Sequence, residues 1–330
     1  MRMRLSRTGE RGVANAIALP ALFLIFLAGP ESPQTGSAGQ SPDPGSFRIS
    51  VDVALVVLPA TVTDRQGGFV SNLAERDFQV FENGVPQHIQ LFRNEDVPVT
   101  VGLVVDQSTS MVRKLADVSA AARSFVLSSN PDDEMFIVNF NEKVSLGLPD
   151  ATRFTNDTVL LANAITTSRA GGQTALYDAI SKGLEELQAG SRDKKVLIVV
   201  SDGGDNASTH SLAQVMKLAA LSSATIYTIG VFDEDDPDRN PGVLKRLAQA
   251  TGGEAFLPNQ LSEVAPICER IAQDIRHQYT IGYVPTNAAR NGAYRAIRVV
   301  ARVKGRALSV RTRTGYIAGG EPKPDEKAAK

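Results

Sequence analysis

The sequence predicts an α/β fold: a doubly wound, mostly parallel sheet with a flanking β module built from the N- and C-terminal strands. Three observations carry it. Residues 99–105 and 196–200 are near-continuous apolar runs, the pattern of strands buried on both faces. Between residues 99 and 276, strands alternate with helical apolar periodicity, the rhythm of strand–helix–strand units. On either side the periodicity drops to two, punctuated by turn signals.

Taken in order, residues 1–38 read as a secretory signal. Arg2, Arg4, Arg7 and Arg11 precede an apolar run over 13–28, with small residues near Ala38. An uncleaved N-terminal anchor is the other reading, since a run this short containing Pro20 is marginal for spanning a bilayer. Residues 39–46 form a Pro-, Gly- and Ser-rich linker, and 47–97 an N-terminal β segment of about four strands. Strand-like alternation marks 47–53 and 78–82, and turns are expected at 64–68 and 82–84.

Residues 98–277 form the central domain. Helices are expected at 111–127, 158–165, 175–187, 212–221, 243–250 and 261–276, with further strands at 135–140 and 225–231. Residues 278–318 return to β with strands at 278–284, 294–303 and 308–313, and 319–330 form a charged, disordered tail.

Composition narrows the functional classes. The chain has 330 residues, 42% hydrophobic, with 35 basic against 36 acidic side chains and a net charge of -1. No basic excess points to nucleic acid. No Gly-rich phosphate loop follows a strand, so nucleotide binding lacks a motif. Cys268 stands alone, which leaves the fold to its core, and its place on an apolar helical face makes it a buried, inert thiol.

The informative chemistry lies at strand ends. Asp106, Ser108 and Ser110 follow the apolar run 99–105, and Asp202 follows the run 196–200. Thr174 sits after Gly171-Gly172, just before a helix. In an open parallel sheet, ligands bind beyond the carboxyl ends of strands where the winding reverses. Two carboxylates and three hydroxyls are hard oxygen donors, suited to Mg²⁺, or to Ca²⁺ or Mn²⁺. Each piece alone has a plainer role: Ser108, Ser110 or Thr174 as a helix N-cap, Asp202 as a turn residue.

This constellation resembles the metal ion-dependent adhesion site of von Willebrand factor type A domains. The flanks resemble a bacterial subfamily described as von Willebrand factor A-related proteins of Acidobacteria, through Ala74-Glu-Arg-Asp-Phe-Gln-Val-Phe-Glu-Asn-Gly84, Gln278-Tyr-Thr-Ile-Gly-Tyr283, Gly292-Ala-Tyr-Arg295 and Arg313-Thr-Gly-Tyr316. All five ligand positions are filled. The resemblance implies that Ser108, Ser110 and Thr174 contact the ion directly, and that Asp106 and Asp202 hold it partly through water. It further implies an exported binding module, in the periplasm, at the cell surface or outside the cell, whose partner is a protein offering an exposed Asp or Glu.

Competing sites are weaker. His88, His210 and His277 share no spacing, so a zinc site or a Ser-His-Asp triad is unsupported. The same crevice could serve a metal-assisted hydrolase, but Ser108 stands where a second acid is needed and no general base lies nearby in sequence. A structural envelope protein with an inert ion is the third reading. The acidic run 233–238 reads as a solvated loop or a second cation site. Arg295, Arg298, Arg302, Lys304, Arg306, Arg311 and Arg313 are expected to share one exposed basic sheet face, read as a plain solvated surface or as a polyanion-binding patch.

Overall fold

The computed structural model describes residues 55–166, 170–232 and 239–319. The expected signal, linker, strand at 47–53, acidic run 233–238 and tail from 320 lie outside the described residues.

Four strands precede the central domain: β1 (Val56–Thr63), β2 (Phe78–Glu82), β3 (Val85–Gln87) and β4 (Ile89–Arg93). The domain itself follows the order β5 (Val99–Asp106), α1 (Leu115–Ser128), β6 (Glu134–Phe140), β7 (Val144–Leu146), α2 (Thr158–Thr166), α3 (Leu176–Leu187), β8 (Lys194–Ser201), α4 (Leu212–Leu221), β9 (Thr225–Gly230), α5 (Pro241–Thr251), β10 (Ala255–Phe256) and α6 (Val264–Arg276). After it come β11 (Tyr279–Tyr283), β12 (Tyr294–Val303), β13 (Arg306–Ala307), β14 (Ser309–Arg311) and β15 (Gly315–Ile317).

The central sheet runs β10-β9-β8-β5-β6-β7, and only the β6–β7 pair is antiparallel. Every residue of β5 and nearly all of β8 is buried, as continuous apolar runs require when helices cover both faces. Helices α1, α2 and α6 pack together, as do α3, α4 and α5. The chain leaves β5 for β6 on one side and returns through β8 on the other. The winding therefore reverses between β5 and β8, which opens a crevice at their carboxyl ends.

The flanking segments form one module. One sheet has the order β14-β1-β11-β4, the other β13-β12-β2-β3 with β15 added to β12. Each thus mixes strands from before and after the central domain. Their inward faces share a core of Leu58, Ala60, Val62, Phe78, Val80, Tyr279, Ile281, Tyr283, Ile297, Val299 and Ala301. Asn83 at φ 48° and Gly84 at φ 82° make the tight β2–β3 turn, the geometry that twisted hairpins prefer. The module is tied to α6 through Asp274. That carboxylate is 1% exposed and accepts from Thr61 Oγ1 at 2.5 Å, from the Tyr227 hydroxyl at 2.9 Å and from Arg311.

Several expectations need correction. The helix expected from 111 begins at Leu115, because a 3-10 turn over Thr109–Met111 takes its place. Strands β7, β10, β13 and β15 were not expected; each is two or three residues long, too short to show a period. The seven basic residues near the C-terminus do not share a face. Arg295 and Arg313 are buried and Arg311 is half-buried, while Arg298, Arg302, Lys304 and Arg306 are exposed. Parity explains Arg295, which falls on the inward set of β12 and meets buried Glu82 at 2.9 Å. Arg313 is instead spent on the carbonyls of Gly315 and Ser222.

Candidate metal centre

β5 delivers Asp106 to its carboxyl end, completely buried. Two hydrogen bonds aim the carboxylate. Oδ1 accepts the Ser108 backbone N–H at 2.8 Å, and Oδ2 accepts from Ser201 Oγ at 2.7 Å. Ser201 is the last residue of β8, so the bond spans the two strands that border the crevice. Ser201 Oγ also accepts from the Gly203 N–H at 3.0 Å, which folds the chain back just past Asp202.

The hydroxyls after β5 are spent on this site and do not cap a helix. Ser108 precedes the 3-10 turn but its side chain makes no cap bond. Ser108 Oγ and Ser110 Oγ lie 3.1 Å apart, and Ser110 Oγ donates to Asp202 Oδ2 at 2.5 Å. Asp202 is 2% exposed, and its other oxygen accepts the Gly204 N–H at 3.0 Å. Gly203 is obligatory here: at φ 80°, a Cβ would sit 2.4 Å from the Asn240 carbonyl oxygen.

Thr174 comes from the loop before α3. It is not the helix cap, a place taken by Ala175 without a side-chain bond. Asn206 holds it instead. The Thr174 N–H donates to Asn206 Oδ1 at 2.9 Å, and the Asn206 and Ala207 N–H groups donate to the Thr174 carbonyl at 2.9 and 3.1 Å. Gly172, at φ 88°, turns its carbonyl toward Thr109, accepting from its N–H at 3.2 Å and its hydroxyl at 3.1 Å. The Thr174 loop is thereby stitched to both other loops.

The structure thus joins Asp106, Ser108, Ser110 and Asp202 in one hydrogen-bonded chain, with Ser201 attached at Asp106, and ties the Thr174 loop to the loops after β5 and β8. Ser201 and Asn206 hold the candidate site together and were missed in the sequence. Ser201 had a signal, a hydroxyl directly before a strand-end acid; Asn206 had none.

Electrostatics agree with a cation at this place. Burial pushes the Asp106 carboxyl up to about 6, against the hydrogen bonds from Ser108 and Ser201, and the Asp202 charge adds to the rise. Among the described residues neither carboxylate is in an ion pair. Two buried carboxylates facing one another are costly unless a positive charge is shared between them. The donor set, carboxylate and hydroxyl oxygen with no sulfur or imidazole, fits a hard divalent cation. Among the described residues no group of three or more His, Cys, Asp or Glu side chains gathers in metal-binding fashion, which sets this site apart from zinc centres and all-carboxylate cages.

The histidines lie elsewhere. His210 Nδ1 lies 2.7 Å from Asp178 Oδ1 at the start of α3, His277 stacks on Phe69 at 5.4 Å, and His88 is exposed. Cys268 is buried, and burial pushes its thiol up to about 12.

Comparison with known proteins follows the same lines. The family model for the von Willebrand factor type A domain matches residues 100–266, the central sheet and its helices. An uncharacterised protein of Synechocystis sp. is 25% identical over 168 residues, which make up 49% of this chain and 38% of that protein. The chain therefore matches well under half the length of that relative. The solved von Willebrand factor type A structure from Catenulispora acidiphila superposes with a TM-score of 0.50 at 14% identity, covering 73% of each chain. The vWF domain of the type V pili tip protein Mfa5 from Porphyromonas gingivalis gives a TM-score of 0.45 at 18% identity, over 55% of this chain and 95% of that one. With the family model matching half of its length and the sheet order and strand-end acids in place, the chain belongs to the von Willebrand factor type A domain family.

Proposed function

We propose that the protein is an exported binding module that captures an acidic side chain of a partner protein through a divalent cation, Mg²⁺ or else Ca²⁺ or Mn²⁺. Asp106, Ser108, Ser110, Thr174 and Asp202 would hold the ion. The observation that carries this reading is the pairing of two buried carboxylates, Asp106 and Asp202, bridged by serine hydroxyls at the winding reversal of the sheet. Asp106 and Asp202 formally balance a dication, but the other three donors are neutral, weakly donating hydroxyls and five groups leave a six-coordinate ion unfinished, so a partner's carboxylate is a natural further ligand.

Export rests on the basic and then apolar N-terminal run. Among the described residues no helix is long and apolar enough to cross a membrane. A hydrolytic role has less support. The position two residues after Asp106 is Ser108, not an acid, and His210, the imidazole nearest Asp202 in sequence, is engaged with Asp178.

The test is capture from a native envelope extract with immobilised wild type and Asp106→Ala, each with Mg²⁺ and with EDTA. Capture that requires Mg²⁺ and the Asp106 carboxylate supports the mechanism. A partner retained equally in EDTA and by Asp106→Ala would sink it.

A further inference from the structure

Parity along β12 sorts its side chains into two sets. Arg295, Ile297, Val299 and Ala301 point into the module core, and Tyr294, Ala296, Arg298 and Arg302 point outward. The outward set is built as a surface. Tyr294 is 54% exposed, yet its ring is laid down along the sheet: a Cβ on Gly315 would come within 2.4 Å of the end of the phenol ring, and its hydroxyl lies 3.1 Å from Thr314 Oγ1. The end of the ring is therefore seated over Gly315 of β15, while more than half of the residue stays open to solvent. Arg298 lies over the ring of its cross-strand partner Phe81 at 4.2 Å, a cation–π contact that holds the guanidinium in place. Arg302 continues the row, and Lys304 and Arg306 close it at the β12–β13 turn. None of these four cations is ion-paired among the described residues, although the chain as a whole carries more acids than bases.

We infer that this face binds an acidic polysaccharide, a chain of pyranose units bearing carboxylate or sulfate groups. An open aromatic ring lying along a sheet suits the apolar face of a pyranose. Cations four residues apart on one strand lie ~13 Å apart, a row that an extended polyanion can follow. Charge complementarity identifies the occupant as anionic, and the seated ring selects a sugar. A membrane surface calls for apolar side chains that protrude, and Tyr294 is laid flat instead. Nucleic acid calls for several aromatic platforms to take successive bases, whereas here Phe81 is already covered by Arg298. The inference is separate from the metal centre, which lies at the carboxyl end of the central sheet.

The test is affinity electrophoresis of the full chain through gels containing alginate, dextran sulfate or neutral dextran, with single-stranded DNA and anionic vesicles as further probes. The expected result is retardation by alginate or dextran sulfate and none by dextran, unchanged by EDTA. Tyr294→Ala and the double variant Arg298→Ala/Arg302→Ala should each weaken it roughly tenfold, the effect of losing a stacking or paired contact. Circular dichroism and the urea midpoint report whether each variant is folded, and the arginine pair, being fully outward, carries the test should Tyr294→Ala be unstable. A preference between alginate and dextran sulfate assigns the anionic group. No retardation by either acidic glycan overturns the inference, as does retardation that survives the arginine double variant. DNA or vesicle binding as tight as glycan binding and indifferent to Tyr294 overturns it too, since charge alone would then be at work.

Discussion

Ser110 Oγ donates to Asp202 Oδ2 at 2.5 Å across 92 positions of sequence. With the Ser201–Asp106 bond at 2.7 Å it forms a crossed pair, in which each border of the crevice supplies one serine to the other's carboxylate. The loop after β5 cannot move without the end of β8. Such an arrangement holds acidic oxygens in a fixed geometry before an ion arrives, and fixed geometry is what distinguishes a binding site from a loose cluster of acids.

The first consequence concerns Ser201, which orients Asp106 and is not itself one of the five expected ligands. Ser201→Ala frees Asp106 Oδ2 and removes the acceptor of the Gly203 N–H. Loss of an orienting partner of this kind lowers metal affinity by roughly 10–100-fold. Titration calorimetry with Mg²⁺ measures it. An affinity within about twofold of wild type would show that Asp106 needs no such support.

A second prediction concerns stability. A ligand that binds only the folded chain stabilises it by ~2.7 kcal/mol when present at about a hundred times its dissociation constant. Urea unfolding with Mg²⁺ should therefore have a higher midpoint than unfolding in EDTA. Asp202→Ala should give the same midpoint in both. Equal midpoints for the wild type would mean that no ion is held in the folded state.

These sites show how far the sequence could be read. Long buried strands such as β5 and β8 announce themselves through uninterrupted apolar runs, and that placed Asp106 and Asp202 at adjacent strand ends. Ser108 and Ser110 were ambiguous with helix caps, because a hydroxyl before a helix looks the same whether it bonds a backbone N–H or a distant carboxylate. Only the register of β5 beside β8 separates the two. Asn206 and Glu82 were invisible for the same reason: their partners Thr174 and Arg295 lie 32 and 213 positions away. The basic C-terminal stretch misled because one buried carboxylate lets an arginine sit on an inward face, against the usual rule that charge points outward.

A third prediction tests the joint between the module and the central domain. Asp274 is buried and holds Thr61 of β1, Tyr227 of β9 and Arg311 of β14 at once. Removing one side of a buried ion pair costs up to roughly 3–5 kcal/mol, and Arg311 would keep only the less buried Glu254, 3.4 Å away. Asp274→Ala should lose about that much in urea unfolding. Adding Arg311→Met should recover a large part, since the stranded charge is then gone. A double variant no more stable than Asp274→Ala would place the loss in Thr61 and Tyr227 instead.

A fourth prediction uses Cys268 as a reporter. It is 5% exposed, within the core that α6 shares with the central sheet. Burial pushes its thiol up to about 12, so almost no thiolate exists at pH 8. Iodoacetamide at pH 8 should leave the native chain unmodified and label it fully in denaturing urea, with mass spectrometry as the readout. Rapid labelling of the native chain would show that α6 leaves the sheet on the timescale of the reaction.

The last prediction is a pH dependence remote from the candidate metal centre. At the opposite ends of the strands, Asp133 Oδ1 accepts the Val99 N–H at 2.8 Å and Oδ2 the Asn130 N–H at 3.1 Å. Burial nonetheless pushes this carboxyl up to about 6, with the Asp96 charge adding to the rise. The folded chain therefore holds a proton there that the unfolded chain has released. The stability that this proton contributes is complete below about 3.8 and is lost as the pH rises through about 6. Lys194 behaves in the complementary way. Burial lowers its ammonium to about 8, opposed by Asp274, Asp96 and Asp133, so its contribution is complete above 10.5 and is lost as the pH falls through about 8. The two groups together place a shallow minimum of stability between about 6 and 8, under any larger trend from other groups. Asp133→Asn removes one of them while its amide oxygen can still accept one of the two N–H bonds. The wild type should gain stability relative to this variant as the pH is lowered from 7 towards 4, measured by urea unfolding in EDTA. A difference that stays constant over that interval would mean that Asp133 is ionised in the folded chain at all these pH values, and that its two backbone bonds outweigh its burial.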